Sequence, residues 1–506
     1  MSTLWTRPDG AGWDGLRVVV AGLGVSGFAA AVALAERGAR VVAVDARDGA
    51  GEQDRADLLR VLGADVRLGP DATAALPQVD GAAPELVVTS PGWRPSSPVL
   101  AAAADAGVPV WGEVELAWRM RPEGAAPWLT LTGTNGKTTT VRMLTSILRA
   151  AGLRATAAGN VGTSLLEAVL DPQGHDVLAV ELSSFQLHWS SSLGPRASAC
   201  LNVAPDHVDW HGSMQAYAAA KGRVFENTEV ACVYNVADPV TERLVREADV
   251  VEGCRAVGFT LGVPDVSMLG VVDDVLADRA FVDERATSAG ELATLADLAA
   301  GGAPVAPHTV ANALAAAALA RAHGVPASAV RDGLRDFTPD PHRIAQVAVS
   351  DGVTWVDDSK ATNPHAAAAS LAAFDSVVWV AGGLAKGADF GDLVATHARR
   401  LRAAVLIGTE RGPLREALSR HAPDVRVVEV DGGDTAGMAH PRPADASRAV
   451  MDDAVRAASG LAHPGDTVLL APACASMDQF RDYGARGEAF ADAVRGLLTG
   501  RPGTEG

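Results

Sequence analysis

Short apolar runs rich in Val, Leu and Ile alternate along this chain with longer stretches in which Ala and Leu recur at helical spacing. LRVVVAGLG, an alanine-rich segment and RVVAVD, within residues 16–45, predict strand, glycine-rich turn, helix and strand. Similar units recur to about residue 112, among them ELVVTSPG at 85–92. RPEGAAP at 121–127 breaks both periods and predicts a linker. A second block opens at Trp128, with strands in WLTLTG, VLAVELS (177–183) and ASACLNV (197–203), and closes on the helix ANALAAAALARAHG at 311–324. Residues 262–304 lose periodicity and gain Asp, Gly and Ala, so an irregular insertion or short β segments are expected there. A third block starts near Pro341, with strands in VTWVDD (353–358), SVVWVAGG (376–383), AAVLIG (403–408) and TVLLAP (467–472). Strands alternating with helices predict an α/β protein whose parallel sheets are covered on both faces. The closing TGRPGTEG reads as a disordered tail, and no fixed-period repeat is present.

The 506 residues suit about three domains, with boundaries expected at 1–125, 126–340 and 341–506. A balance of 43 basic against 61 acidic residues argues against general nucleic-acid binding, which needs a basic face. It leaves room for a local basic pocket that takes an anionic small molecule. Cys200, Cys232, Cys254 and Cys474 lack metal-type spacing and suggest no disulfide framework. No charged and apolar leader opens the chain, and no apolar run reaches about 18 residues. A soluble cytoplasmic protein without membrane insertion is expected.

LTLTGTNGKTTT at 129–140 sets a β-branched strand against a glycine-rich turn and a helix start. Backbone N–H groups of such a turn, with the helix N-terminus, cradle phosphate anions. Lys137 would reach the β/γ-phosphates and the Thr138 hydroxyl would bind Mg²⁺. The spacing departs from the general P-loop, because Leu131 occupies the usual first glycine position. GLGVSG at 22–27 fits the dinucleotide fingerprint, with Asp45 ending the next strand. An NAD-dependent dehydrogenase is therefore a competing hypothesis, but hydride transfer leaves the loop at 133–140 without a role. A nucleotide-binding regulator without turnover is another, and it would need only that loop.

Downstream of the loop, Glu181 ends an apolar strand, where an acid in a P-loop enzyme faces the bound Mg²⁺. His207 lies between Asp206 and Asp209 in a polar loop suited to metal or substrate; in isolation such a histidine is more often structural, and His211 is read as structural. Lys221 sits on a helix among Ala218, Ala219 and Ala220. It is either a surface lysine with a buried stem or an amine that reacts with CO₂ to become an anionic oxygen ligand for Mg²⁺.

GTNGKTT, ELSSFQL and NVAPDHVDWH, followed by a lysine helix ending in FEN, resemble the Mur ligase superfamily of ATP-dependent amide-forming enzymes. DDSKATNPHAA (357–367), GGLAKGADF (382–390) and APACASMDQFRDYGARGEAF (471–490) resemble the branch that adds D-glutamate to UDP-N-acetylmuramoyl-L-alanine. The resemblance runs from about residue 16 to 495. It implies three domains: a Rossmann-like UDP-binding domain, a central P-loop ATPase-type domain with a parallel sheet, and a Rossmann-like C-terminal domain that takes D-glutamate and closes over ATP. It also implies a monomer working on small molecules, with ATP as co-substrate and two Mg²⁺ ions.

Residue by residue, the resemblance assigns Gly22, Gly24, Val25, Ser26, Gly27, Asp45, Arg47, Ser90, Pro91 and Gly92 to the UDP part, and Asn160 to the muramoyl-alanine end. Gly133, Thr134, Asn135, Gly136, Lys137, Thr138 and Thr139 would hold the ATP phosphates. Asn312, Arg343, Asp358 and Lys360 would contact the rest of the nucleotide. Thr138 and Glu181 would serve the first Mg²⁺, and His207 with Lys221, as a carbamate, the second. Thr362, Lys386, Ser476, Met477 and Tyr483 would form the D-glutamate pocket, where a dicarboxylate calls for a cation such as Lys386. Lys137, His207 and Lys221 are the catalytic candidates. APHTVAN at 306–312 departs from the family's G-x-H-N-x-x-N at Ala306 and Thr309, and Ala345 stands where an acid is usual.

Overall fold

The computed structural model describes residues 12–299, 305–338, 342–430 and 444–500; of the expected tail at 499–506, Thr499 instead ends the helix Tyr483–Thr499 and Gly500 caps it, and residues 501–506 lie outside the described residues. The chain divides into two compact units between Phe337 and Thr338. The first unit holds two sheets. Its N-terminal sheet comprises β1 (Arg17–Ala21), β2 (Arg40–Asp45), β3 (Asp65–Leu68), β4 (Leu86–Thr89) and β5 (Val110–Gly112), all parallel in the order β3-β2-β1-β4-β5. Valine-rich strands buried on both faces are what a parallel sheet between helices requires. The order reverses between β1 and β4, so the turns after those strands flank the crevice where such folds bind ligands.

The second sheet contains β6 (Trp128–Thr132), β7 (Ala155–Gly159), β8 (Val177–Glu181), β9 (Ala197–Cys200), β10 (Ala231–Asn235), β11 (Arg255–Phe259), β12 (Met268–Val272), β13 (Val275–Asp278) and β14 (Gly290–Thr294). Their order is β14-β13-β12-β11-β10-β9-β6-β8-β7. The strands from β7 across to β12 run parallel, but β12 pairs antiparallel with β13 and β13 with β14, so the described part of 262–304, residues 262–299, forms short β segments, and residues 300–304 lie outside the described residues. The cause is a two-residue turn at Asp273–Asp274, with Asp273 at φ +55°, which pairs Val272 with Val275.

Three helices cover one face of this sheet. The alanine run of the helix Pro307–Ala322 is fully buried from Ala313 to Ala320, its small side chains permitting close approach. The helix Ala327–Arg335 crosses the helix Lys137–Ala150 so tightly that a Cβ on Gly333 would lie 2.4 Å from the Ile147 Cα. At the crossing the Ser146 hydroxyl donates to the Gly333 carbonyl at 2.7 Å.

The helix Glu113–Met120 joins the two sheets through buried acids. Glu113 accepts from the Leu165 N–H at 2.9 Å, and its carboxyl is pushed up by burial. Glu115 accepts from the N–H groups of Ser191 and Ser192 at 2.8 and 3.0 Å and pairs with Arg119. Burial pushes the Glu115 carboxyl upward, but these donors together hold it below the ordinary glutamate value.

The second unit comprises β15 (Ala345–Ser350), β16 (Val353–Asp357), β17 (Val377–Gly382), β18 (Leu401–Ile407), β19 (Arg426–Glu429) and β20 (Thr467–Leu470) in the order β15-β16-β20-β17-β18-β19. Among the described strands only β15 is antiparallel, turned by Asp351–Gly352, both at positive φ. This Asp-Gly hairpin adds one antiparallel strand to the expected parallel sheet.

Candidate functional site

Three adjacent strands of the second sheet, β8, β6 and β9, end at one edge, and their following loops bring together most of the catalytic candidates. The turn after β6 is held open from both sides. Gly136 takes φ +83°, a left-handed conformation that costs glycine little, and starts the helix Lys137–Ala150. A Cβ there would lie 2.4 Å from Asn312 Oδ1, so Asn312, itself buried, packs directly against the loop. On the other flank the Asn202 side chain brackets the Asn135 backbone, accepting from its N–H at 2.8 Å and donating to its carbonyl at 3.1 Å. Thr134 Oγ1 accepts from the Ala204 N–H at 3.0 Å and lies 3.0 Å from the Tyr217 hydroxyl. The cradle is therefore built by the protein's own contacts.

Lys137 Nζ donates to the carbonyls of Gly133 and Thr134 at 2.8 and 3.0 Å. Lys221 Nζ also donates to Gly133 O at 2.8 Å and approaches Thr132 Oγ1 at 3.4 Å. Two amines thus converge on one carbonyl. Lys221 is only 1% exposed, so of its two readings the surface lysine is not met. Burial, reinforced by the nearby Lys137 charge, brings its amine from 10.5 down to about 7. The Tyr217 ring lies 4.8 Å from Lys221 Nζ, one helical turn earlier on the same helix face.

Glu181 ends β8 beside Leu131 of β6 and is 1% exposed. Its Oε1 accepts from the Asn160 side chain at 2.9 Å, while Oε2 is buried without a hydrogen-bond partner among the described residues. A buried carboxylate oxygen left without a donor is costly unless a cation satisfies it. Thr138, buried in the first turn of the helix Lys137–Ala150, is the other oxygen donor the motif offers, and an oxygen-only pair of this kind could hold Mg²⁺.

His207 sits at φ +53°, its Nε2 3.6 Å from Asp206 Oδ2 and its ring 4.7 Å from that of Phe185. A small pocket is lined by Thr134, Lys137, His207 and Lys221 together with Ser183, Ser184, Phe185, Asp206 and Tyr217. The last five were missed by the sequence reading, as was Asn202. Tyr217 was the most accessible of them, since its four-residue spacing from Lys221 predicts a shared helix face. His211, read as structural, lies 3.0 Å from the Ser184 hydroxyl, and burial lowers its imidazole to about 4.

At the N-terminal sheet, Gly22 and Gly27 are obligatory: a Cβ on Gly27 would lie 1.8 Å from the Gly22 carbonyl oxygen. The Ser90 hydroxyl donates to the same carbonyl at 3.2 Å, bringing the turns after β1 and β4 together. Ser26 hydrogen-bonds the Glu113 carboxyl. Gly24 caps the helix Val25–Ala35, and Val25 beside it is exposed. Asp45 is buried and already engaged, accepting from the Leu23 N–H at 2.7 Å and the Arg47 N–H at 2.9 Å. Burial raises the Asp45 carboxyl, yet Arg47 and these N–H groups hold it below the ordinary aspartate value. The turn after β4 reaches the loop that carries His207. Arg94 pairs with Asp209 at 2.8 Å and Trp210 Nε1 donates to Gly92 O at 3.3 Å, with Pro91 in the same turn.

In the second unit, the loops after β16, β17 and β20 meet at another set of strand ends. Leu384 and Ala475 exchange backbone hydrogen bonds, joining the loops of Lys386 and Ser476, and Ala473 N–H donates to Ala361 O at 2.9 Å. Arg486 is fully buried and donates to Ser359 Oγ, Ser359 O and Cys474 O at 3.0, 2.9 and 3.2 Å. Lys360 Nζ donates to the Tyr483 hydroxyl at 2.8 Å and lies over its ring. Asp358 is buried against the Ser370 hydroxyl; burial pushes its carboxyl up to about 6, although Ser370 and Arg343 pull the other way. Lys386, at φ +49°, and Met477 are exposed, Ser476 is buried, and Thr362 lies two residues past Lys360 with its N–H on the Lys360 carbonyl.

Sequence profiles of known families match in three places: the Mur ligase MurD-like N-terminal domain at 16–112, the Mur ligase middle domain at 131–320, and the Mur ligase glutamate ligase domain at 342–474. Among curated proteins, a UDP-N-acetylmuramoylalanine–D-glutamate ligase of Streptomyces avermitilis is 63% identical over 96% of this chain and 99% of its own length. The protein of that name from Streptomyces coelicolor is 60% identical over 96% of this chain and 99% of its own length. Among solved structures, a pseudomurein peptide ligase type C from Methanothermus fervidus superposes with a TM-score of 0.56 at 17% identity, covering 95% of this chain and 99% of its own. That distant likeness speaks for the fold alone, but identity above one half along nearly the whole length leaves one conclusion: this chain belongs to the Mur ligase family.

Proposed function

We propose that this protein joins D-glutamate to UDP-N-acetylmuramoyl-L-alanine at the expense of ATP, forming UDP-N-acetylmuramoyl-L-alanyl-D-glutamate, ADP and phosphate through an acyl phosphate. The observation that carries this reading is a phosphate cradle whose flank holds a buried carboxylate and a buried, readily neutral lysine. The similarity to two ligases named for this reaction supports the choice of acceptor. Residues 1–125 would take the UDP part, 126–340 ATP, and 341–506 D-glutamate. The enzyme works as a cytoplasmic monomer on these small molecules; no helix among the described residues is long and apolar enough to cross a membrane.

In the first step the alanyl carboxylate of the UDP substrate attacks the γ-phosphorus of ATP. Two anions must meet, so charge neutralisation dominates the barrier. Lys137 exchanges the carbonyls of Gly133 and Thr134 for phosphate oxygens, and the N–H groups from Gly133 to Thr139 bind the remaining ones. Thr138 and Glu181 would hold one Mg²⁺, and His207 with Lys221, as a carbamate, a second; such ions would supply charge neutralisation at the transferring phosphoryl oxygens. Asn160, anchored on Glu181, positions the alanyl end. The amine of D-glutamate then attacks the acyl carbon and phosphate leaves. Lys386, Thr362, Ser476, Met477 and Tyr483 bind the amino acid, with Arg343, Asp358, Lys360 and Asn312 on the nucleotide.

Phosphate release from ATP, with UDP-N-acetylmuramoyl-L-alanine and Mg²⁺ present and amino acids added singly, tests the proposal. Turnover with D-glutamate and not L-glutamate is expected. Turnover with a different acceptor only would overturn the reading of the second unit, and none with any acceptor would overturn the ligase assignment.

A further inference from the structure

Away from the nucleotide pocket, two cysteines that the proposed mechanism does not use lie in contact. Cys232 is the second residue of β10, and Cys254 immediately precedes β11. Their Sγ atoms are 3.8 Å apart. Both sit at the N-terminal ends of strands parallel to β9 and β6, the opposite edge of the sheet from the phosphate cradle. Cys232 is buried beside Ser198, whereas Cys254 is partly exposed at the end of a turn in which Val251, Glu252 and Gly253 are exposed. Gly253 holds that turn at φ +90°. We propose that Cys232 and Cys254 form an oxidisable dithiol, a modification site at which a peroxide converts the two thiols into an intramolecular disulfide.

Cys254 is the attacking group, because it is the accessible one. The Cys232 thiol beside its Sγ, with the N–H groups of Arg255 and Cys232 and the Arg255 charge, outweighs partial burial and holds the Cys254 thiol below its ordinary value, an environment that favours a thiolate. The thiolate displaces hydroxide from hydrogen peroxide and becomes a sulfenic acid, the hydroxide taking up a proton to leave as water. The Cys232 sulfur then attacks the Cys254 sulfur, its proton leaving with the hydroxyl as a second water. Two thiols and one peroxide thus give one disulfide and two waters. A sulfur–sulfur bond is about 2.05 Å long, so the sulfurs must close by about 1.7 Å. The exposed turn before Cys254 supplies that movement, while Cys232 stays fixed in the sheet. The Cys254 sulfur and burial push the Cys232 thiol well up, so Cys232 does not meet peroxide itself and acts only on the Cys254 sulfenic acid; Cys200 and Cys474 are buried, and burial pushes their thiols up to about 12, which disfavours their direct attack on the oxidant.

The full-length reduced protein is treated with a slight excess of hydrogen peroxide, quenched with a maleimide and mapped by peptide mass spectrometry. The expected product is a monomer lighter by two hydrogens, carrying one 232–254 cross-link that dithiothreitol reverses. These two thiols should disappear about ten-fold faster than the other two. Cys232→Ser should stop the reaction at a dimedone-reactive Cys254, and Cys254→Ser should abolish it. Oxidation mapped to Cys200 or Cys474, an intermolecular disulfide, or over-oxidation of Cys254 in the unmutated protein without the cross-link would overturn the proposal. The unmutated protein alone decides between these outcomes if either variant misfolds.

Discussion

Replacing Lys221 by Met separates what the buried amine does for the fold from what it does for the reaction. Its amine falls from 10.5 in water to about 7 in the folded chain. That fall corresponds to about 5 kcal/mol of disfavoured protonation. Methionine fills a similar volume without charge. It loses the bonds to Gly133 O and Thr132 Oγ1, but Gly133 O keeps Lys137 as a donor and Thr132 Oγ1 still donates to Leu182 O. That loss costs about 1–3 kcal/mol. Below pH 7 the Lys221→Met variant should therefore be the more stable protein by about 2–4 kcal/mol, a rise in Tm of about 5 °C. The sign of the pH dependence follows from proton counting. Between about pH 7 and 10.5 the unfolded chain binds the extra proton, so the original protein gains stability as pH rises through that window. The advantage of the variant should shrink by pH 9.5. Activity moves the other way. At pH 8 about 90% of the folded amine is neutral, against about 0.3% for a free lysine, which is the form CO₂ requires. Methionine cannot form a carbamate, so phosphate release at pH 8 should be lost. Scanning calorimetry in CO₂-free buffer with a chelator at pH 6.5 and 9.5, beside the phosphate assay, checks both halves. A variant less stable than the original at pH 6.5, or one turning over within threefold of it, refutes the reasoning.

Gly136→Ala forces alanine to φ +83°, costing about 1–2 kcal/mol, and sets a methyl against Asn312. The KM for ATP should rise about ten-fold, and adding Asn312→Ala should relieve part of that loss; strict additivity in the double variant would count against the contact. Asp358→Asn removes a carboxyl that the folded chain keeps protonated up to about pH 6. Because the folded state binds the extra proton between pH 3.8 and about 6, the original protein loses stability as pH rises through that range, and the variant should melt higher at pH 7.5 but not at pH 4. An equal offset at both pH values would contradict the burial argument. Gly333→Ala drives a methyl into the Ile147 backbone and should destabilise the first unit by about 1–3 kcal/mol in calorimetry, an unchanged Tm showing that the helices can part freely.

Strand positions were legible because buried parallel strands are written as Val- and Leu-rich runs bounded by glycine, as in RVVVA and VVWVAG. The antiparallel additions were less so, because their signals are only two residues long: Asp-Asp before Val275 and Asp-Gly before Val353. At the site, residues carried on motifs were found, whereas residues that support motifs were not. Asn202 belongs to a different loop from Asn135 and becomes its partner only because β9 lies beside β6. Asp45 shows what the fingerprint leaves out, since its oxygens already accept from the Leu23 and Arg47 backbones before any ligand arrives. Pattern identifies the chemistry a residue can do, and only pairing across strands decides whether its atoms are available for it.

The helix Glu113–Met120 has a further consequence for which substrates can react. Glu113 and Glu115 fasten it to segments around Leu165 and Ser191, within the one compact unit that carries both the glycine turn after β1 and the phosphate cradle after β6. With a diphosphate at the first and a γ-phosphorus at the second, as proposed above, the packing of that unit would set the span between them. Such a unit would act as a gauge that selects by molecular reach, so that a UDP-linked carboxylate one residue too short or too long would fail to arrive at the phosphorus, however well its ends are bound.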